Sequence, residues 1–95
     1  MTKKVAIRVL SHEEQLESII RRMKRANGQM SGVVRMLQEG RECEEIIQQM
    51  AAVGKAINTA AFSLISASLK ECIEKDEKEC AAIIKKLQKL FLSLA

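Results

Sequence analysis

The sequence predicts an all-α fold of three helices in one domain, residues 1–95. Three observations carry this prediction. Proline is absent and glycine occurs only four times, so few residues would interrupt a helix. Only two residues are aromatic, and apolar residues recur at three- and four-residue intervals through most of the chain. We expect helices over about residues 12–39, 43–74 and 79–93.

Residues 1–10 are predicted to be a mobile basic arm before the first helix. This segment carries Lys3, Lys4 and Arg8 and contains no acidic residue. Two interpretations stay open: a solubilising tail, or an arm that lies on nucleic acid.

The first helix is predicted to begin at Ser11 and to end near Glu39. Ser11 and Glu14 have the spacing of a capping box, and Gly40 follows as a helix stop. Opposite the apolar stripe lies a basic face, which consists of Arg21, Arg22, Lys24, Arg25 and Arg35. These cations are either a solvated surface or contacts to phosphate groups, and the second interpretation predicts strong salt dependence.

Glycine in the middle of this helix is unusual, because it costs about 1 kcal/mol relative to alanine. Gly28 and Gly32 would therefore permit close helix packing or the close approach of a ligand backbone. His12 is the only histidine. We interpret it as a surface residue in the first turn, with a metal-binding role as the minor alternative.

The second helix carries a cysteine near each end, Cys43 and Cys72. Twenty-nine residues correspond to about eight turns plus 20°, so both thiols lie on one face, roughly 43 Å apart along the axis. A disulfide needs Cα atoms within about 7 Å. The two residues can therefore meet only if an identical helix from a second chain runs antiparallel across a two-fold axis. This geometry predicts a dimer with two cysteine pairs.

The third helix presents an apolar stripe too broad to remain exposed. We expect it to cap the dimer or to join two dimers. Cys80 lies at its start, and we interpret this residue as structural or incidental, because free cysteines behave as small hydrophobes.

Charge and composition limit the function classes. The net charge is +5 over residues 1–41 and −1 over residues 42–95, so an anionic partner would bind the N-terminal half. We expect a cytoplasmic protein without membrane contact, in which cysteines are reactive or metal-binding. No helix-turn-helix spacing, zinc-ligand pair, phosphate loop or nucleophile–histidine–acid set is present, so an enzyme is not predicted.

Two blocks of the sequence resemble the copper-sensing operon repressor family (CsoR/RcnR/FrmR/CstR). The resemblance covers about residues 12–93. The first block comprises Arg22-Met23-Lys24-Arg25, Gly28-Gln29, Gly32 and Arg35-Met36, and the second comprises Cys43, Ile47, Gln48, Gln49 and Ala51-Ala52-Val53.

The resemblance implies a small transcriptional repressor without enzymatic activity. Its members form antiparallel helical dimers that pair into flat tetramers, and they bind operator double-stranded DNA through basic surfaces. An inducer at the dimer interface releases the DNA. On this basis the predicted DNA-binding residues are Arg21, Arg22, Lys24, Arg25, Gln29, Arg35, Lys3 and Lys4.

The same resemblance bears on the inducer. The copper branch binds Cu(I) through two cysteines, which match Cys43 and Cys72, and a histidine whose position is Ser68 here. It also usually has tyrosine where this chain has Glu42. Serine is a poor ligand for a soft ion. What remains, two thiols without a histidine, looks like the persulfide-sensing branch (CstR-like), which controls sulfide-detoxification genes.

Persulfides or polysulfides would then be the inducers, and Cys43 and Cys72 would become joined between chains by a di-, tri- or tetrasulfide. No cofactor is predicted. The alternative is a Cu(I)-responsive repressor of copper-resistance genes that uses the same two cysteines. Two further alternatives belong to other classes: a thiol buffer or copper-storage bundle without a DNA role, and a thiol redox enzyme.

Overall fold

The structure, a computed structural model, describes residues 13–75 and 78–94. It confirms the all-α class and the three helices: α1 (Glu13–Gln38), α2 (Cys43–Lys75) and α3 (Cys80–Leu94). The predicted basic arm, the Ser11 cap and His12 lie outside the described residues.

The end of α1 has the hydrogen bonds of a Schellman motif. The Gly40 N–H donates to the Leu37 carbonyl at 3.2 Å, and the Arg41 N–H donates to the Met36 carbonyl at 3.0 Å. Gly40 has a φ of 68°, a backbone angle that residues with a Cβ atom rarely adopt. The expected stop at Gly40 is therefore confirmed, and it turns the chain within four residues into α2.

α1 and α2 form an antiparallel hairpin. Val33, near the end of α1, packs against Ile46 and Val53 in the first half of α2. Ala26 and Ala60 are each only 2% exposed, so the two helix backbones approach each other closely along the hairpin. Small side chains at the contact permit this approach.

α3 folds back along the second half of α2. Ile83 and Leu87 are buried together with Cys72, and Ile65 and Leu69 pack against this cluster. Within residues 13–75 and 78–94, α3 contacts α2 but not α1. α2 is therefore the central element, with one helix packed on it from each side.

A single chain covers little of its apolar surface. Eight hydrophobic residues of the described ranges are buried, whereas twelve large hydrophobic residues are exposed. The exposed group lies on all three helices: Ile20, Met23, Met30, Val34, Leu37, Ile47, Met50, Leu64, Ile73, Leu90, Phe91 and Leu92. Such extensive exposure favours association with further chains. The antiparallel dimer and the flat tetramer stay predictions.

Candidate nucleic-acid interface and thiol site

The basic face of α1 is open to solvent. Its five cations and the neighbouring Gln29 are all exposed. At about 100° per residue they occupy an arc of about 160° around the helix, opposite the apolar stripe. Lys3 and Lys4, the arm residues predicted to join this surface, lie outside the described residues.

These cations are not engaged elsewhere in the chain. Within the described ranges, none of Arg21, Arg22, Lys24, Arg25 and Arg35 forms an ion pair. Their charges are therefore available to an anionic partner, and phosphate groups are the anions that a linear array of Lys and Arg neutralises best.

Arg41, just beyond α1, behaves differently. Its guanidinium contacts Glu45 at 2.6 Å and Glu39 at 3.5 Å, and the hydrogen bond to Glu45 raises the pKa of Arg41. This arginine joins the two sides of the turn between the hairpin helices, and its charge is already paired with Glu45 and Glu39.

Two glycines lie within the basic face. Helical spacing places Gly28 and Gly32 among its arginines. A Cβ added at either glycine would meet no atom within 4 Å. Packing inside the chain therefore does not require glycine at these positions.

Cys43 is the first residue of α2 and is exposed as a free thiol. Because α2 continues without interruption to Lys75, Cys72 lies about 43 Å further along the same helix. The two predicted sensing cysteines are thus not brought together within one chain, as their spacing requires.

Cys72 is bonded to Cys80 of the same chain. The Cα atoms of the two residues are 5.6 Å apart, and Cys72 is only 4% exposed. This pairing was not predicted. A signal for it exists in the sequence, since Cys72 is three residues from the end of one helix and Cys80 begins the next, so a tight reversal brings both to the same end of the helix pair.

The comparisons with known proteins agree with these features. Residues 15–93 match the family model described as "Metal-sensitive transcriptional repressor". The chain belongs to this family. A relative from Bacillus subtilis, "Copper-sensing transcriptional repressor CsoR", is 31% identical over 68 residues, which cover 70% of this chain and 67% of the relative. "Copper-sensing transcriptional repressor RicR" from Mycobacterium tuberculosis is 28% identical over 64 residues, 67% of each chain. No solved structure matches.

Membership of the metal-sensitive transcriptional repressor family settles the class of function. The protein is a transcriptional repressor that binds operator DNA, and it is not an enzyme. This excludes the two alternatives without a DNA role. α2 is long and apolar enough to cross a membrane by length and composition alone, and a single helix of this kind is weak evidence for a membrane span.

Within a single chain, the described residues do not assemble a site for the metal that the family name implies. Ser68, where the copper branch carries histidine, is 9% exposed and lies one turn before Cys72. Within 13–75 and 78–94, no group of three or more histidine, cysteine, aspartate or glutamate residues is placed to hold a metal ion. A serine hydroxyl and a cysteine already bonded to Cys80 are unsuited to a soft cation, so the residues around Cys72 do not form a copper site within the chain.

Proposed function

We propose that this repressor responds to persulfides and polysulfides, and that it controls sulfide-detoxification genes. The observation that carries the proposal is the unbroken helix from Cys43 past Cys72, with Ser68 in the histidine position. The pair of thiols can be completed only by a second chain, and residues 13–75 and 78–94 contain no histidine to accompany it. A cytoplasmic location follows from a repressor's need to reach DNA.

The reaction starts at the exposed thiol. The Cys43 thiolate attacks the terminal sulfur of a persulfide R–S–SH, becomes a cysteine persulfide and releases the thiolate of R. The Cys72 thiolate of a second chain then attacks the Cys43 sulfur, displaces hydrosulfide and leaves a disulfide between the chains. When both cysteines carry a persulfide, the same displacement leaves a trisulfide.

Dimerisation is part of this proposal and is supported by surface chemistry. The exposed large hydrophobic residues of α1 and α2 include Met23, Met30 and Val34 on one helix and Ile47 and Met50 on the other. A second hairpin lying antiparallel on these residues would remove them from water. It would also carry the partner's first turn of α2 towards the end of this chain's α2.

Release of DNA follows from the covalent link. DNA binding requires the two basic α1 faces of a dimer to match the spacing of the phosphates. Cross-linking both ends of the α2 pair fixes one arrangement of the chains. A difference of about 1–3 kcal/mol in operator affinity between the linked and unlinked dimers is enough for a switch.

The test compares inducers on one reduced sample. Anaerobic protein is bound to a labelled duplex from its own promoter and treated with inorganic polysulfide, hydrogen peroxide or chelator-buffered Cu(I), with fluorescence anisotropy and intact mass as readouts. The proposal expects polysulfide alone to give a Cys43–Cys72 linked dimer and to release the DNA. If buffered Cu(I) releases the DNA and polysulfide does not, the persulfide response is wrong and the copper-responsive alternative, which the names of both relatives favour, replaces it.

A further inference from the structure

The bond between Cys72 and Cys80 occupies a cysteine that the proposed sensing reaction needs. A sulfur in a disulfide is not a thiolate, so Cys72 cannot attack the partner's Cys43 persulfide while it is joined to Cys80. The two bonds are mutually exclusive. Cys72 therefore has two competing partners, one in its own chain and one in a second chain.

The position of the pair favours closure within the chain. Only seven residues separate Cys72 from Cys80, so little chain entropy is lost when the loop closes. The Cα separation of 5.6 Å lies within the range that a disulfide needs, about 4.4–6.8 Å. The partner's Cys43, in contrast, has to be delivered by another molecule.

The thiols of Cys43 and Cys72 differ in their exposure to solvent. Cys43 is exposed, whereas Cys72 is 4% exposed beneath Ile83 and Leu87 of α3. Cys80 is half-buried at the first turn of α3 and packs on the same cluster. The bond therefore holds the start of α3 over Cys72. The Cys72–Cys80 disulfide has to be reduced before α3 can move away and expose the Cys72 thiol.

We propose that Cys72 and Cys80 form a reversible redox switch that controls whether Cys72 is available for the sensing reaction. Two thiols and one hydrogen peroxide give the intrachain disulfide and two water molecules, and low-molecular-weight thiols of a reducing cytoplasm reverse it. Closure removes Cys72 from the link between chains and leaves the repressor on DNA. Cys80 thus determines whether Cys72 can be linked to a second chain. This inference rests on the proposed function.

The test uses the full chain, reduced and anaerobic, with a stoichiometric amount of hydrogen peroxide. Remaining thiols are alkylated, and the products are analysed by intact mass, non-reducing electrophoresis and DNA anisotropy. In the wild type we expect a monomeric chain in which only Cys43 of the three cysteines is alkylated, with unchanged DNA affinity. In Cys80→Ser we expect peroxide to produce the Cys43–Cys72 linked dimer and to release the DNA.

Ala81→Ser is the matched control, because it adds a hydroxyl at an exposed position beside Cys80 and keeps all three thiols. It should behave as the wild type. Cys80→Ala repeats the test if the serine variant loses helix content. The proposal is overturned if peroxide leaves the wild type with three alkylatable thiols. It is overturned equally if peroxide cross-links the wild type and Cys80→Ser to the same extent.

A second arm separates this inference from the proposed function. Wild type closed by peroxide is freed of oxidant and then given polysulfide, and we expect linkage between chains to slow at least about tenfold relative to reduced protein. Equal rates would refute the competition. If polysulfide links neither sample, the proposed function fails, while closure of Cys72–Cys80 is still read directly from the mass.

Discussion

Phe62 of α2 and Phe91 of α3 lie with their ring centroids 5.1 Å apart and their planes inclined by 51°. They are the only aromatic residues in the chain. Their contact fixes the far end of α3 on α2, while the Cys72–Cys80 bond fixes its beginning. α3 is therefore held on α2 at both ends. A reductant can break the disulfide at its beginning but does not affect the contact between the two rings near its end.

Replacing one ring should loosen α3 measurably. We expect Phe62→Ala to lower the free energy of unfolding by about 1–2 kcal/mol. This is less than for a fully buried ring, because Phe62 is only half-buried and its partner ring, Phe91, is 48% exposed. Urea unfolding followed by circular dichroism, at a fixed chain concentration, measures this. Lys89→Ala, an exposed position on α3, should change it by less than about 0.5 kcal/mol.

Alanine should have opposite effects on stability at two glycines, Gly40 in the turn after α1 and Gly28 in the middle of α1. Gly40→Ala should lower the free energy of unfolding by about 1–2 kcal/mol, because a Cβ is strained at a φ of 68°. Gly28→Ala should raise it by up to about 1 kcal/mol, since alanine favours helix and meets no atom within 4 Å. Thermal unfolding of both variants checks the signs, and equal shifts would contradict the assignment.

A large side chain on the basic face of α1 should weaken DNA binding without impairing folding. We expect Gly28→Leu to fold with wild-type helix content but to bind the promoter duplex at least about tenfold more weakly, because its side chain stands where the DNA backbone approaches. Gly28→Ala is the control and should retain most of the affinity. Full binding by the leucine variant would place the DNA elsewhere on the chain.

The arginines of the basic face should contribute to DNA binding through their positive charge. Arg22→Ala and Arg25→Ala should each weaken DNA binding and reduce the slope of log affinity against log salt by about 1 per lost phosphate contact. Anisotropy titrations over a salt series give both quantities. Lys89→Ala removes an equal charge from α3, and it should leave the slope unchanged if α1 is the DNA-binding surface.

Removal of the sensing thiols should separate repression from induction. Cys43→Ala and Cys72→Ala should bind the promoter duplex as the wild type does, because neither lies on the basic face of α1. Both should remain on DNA when polysulfide is added. A Cys72→Ala protein that still forms a reducible dimer and still releases DNA would show that Cys80 or another site is the sensor.

The helical periodicity of the apolar residues and the stop signal at Gly40 predicted much of the fold, because a helix is specified by residues close together in the sequence. The three helices and the stop at Gly40 follow from residues that are neighbours in sequence. The pairing of Cys72 with Cys80 and the contact of Phe62 with Phe91 depend on how α3 returns along α2, and apolar spacing does not define that path. The sensing pair of Cys43 and Cys72 depends on a second chain and stays a prediction.

The unbroken course of α2 has a consequence for how a signal could travel. A single helix of 33 residues, which contains no proline, is held in register by its own hydrogen bonds. On the proposed function, the signal from the thiols to the DNA is a displacement of whole helices relative to one another, and it requires the second chain that completes the thiol pair.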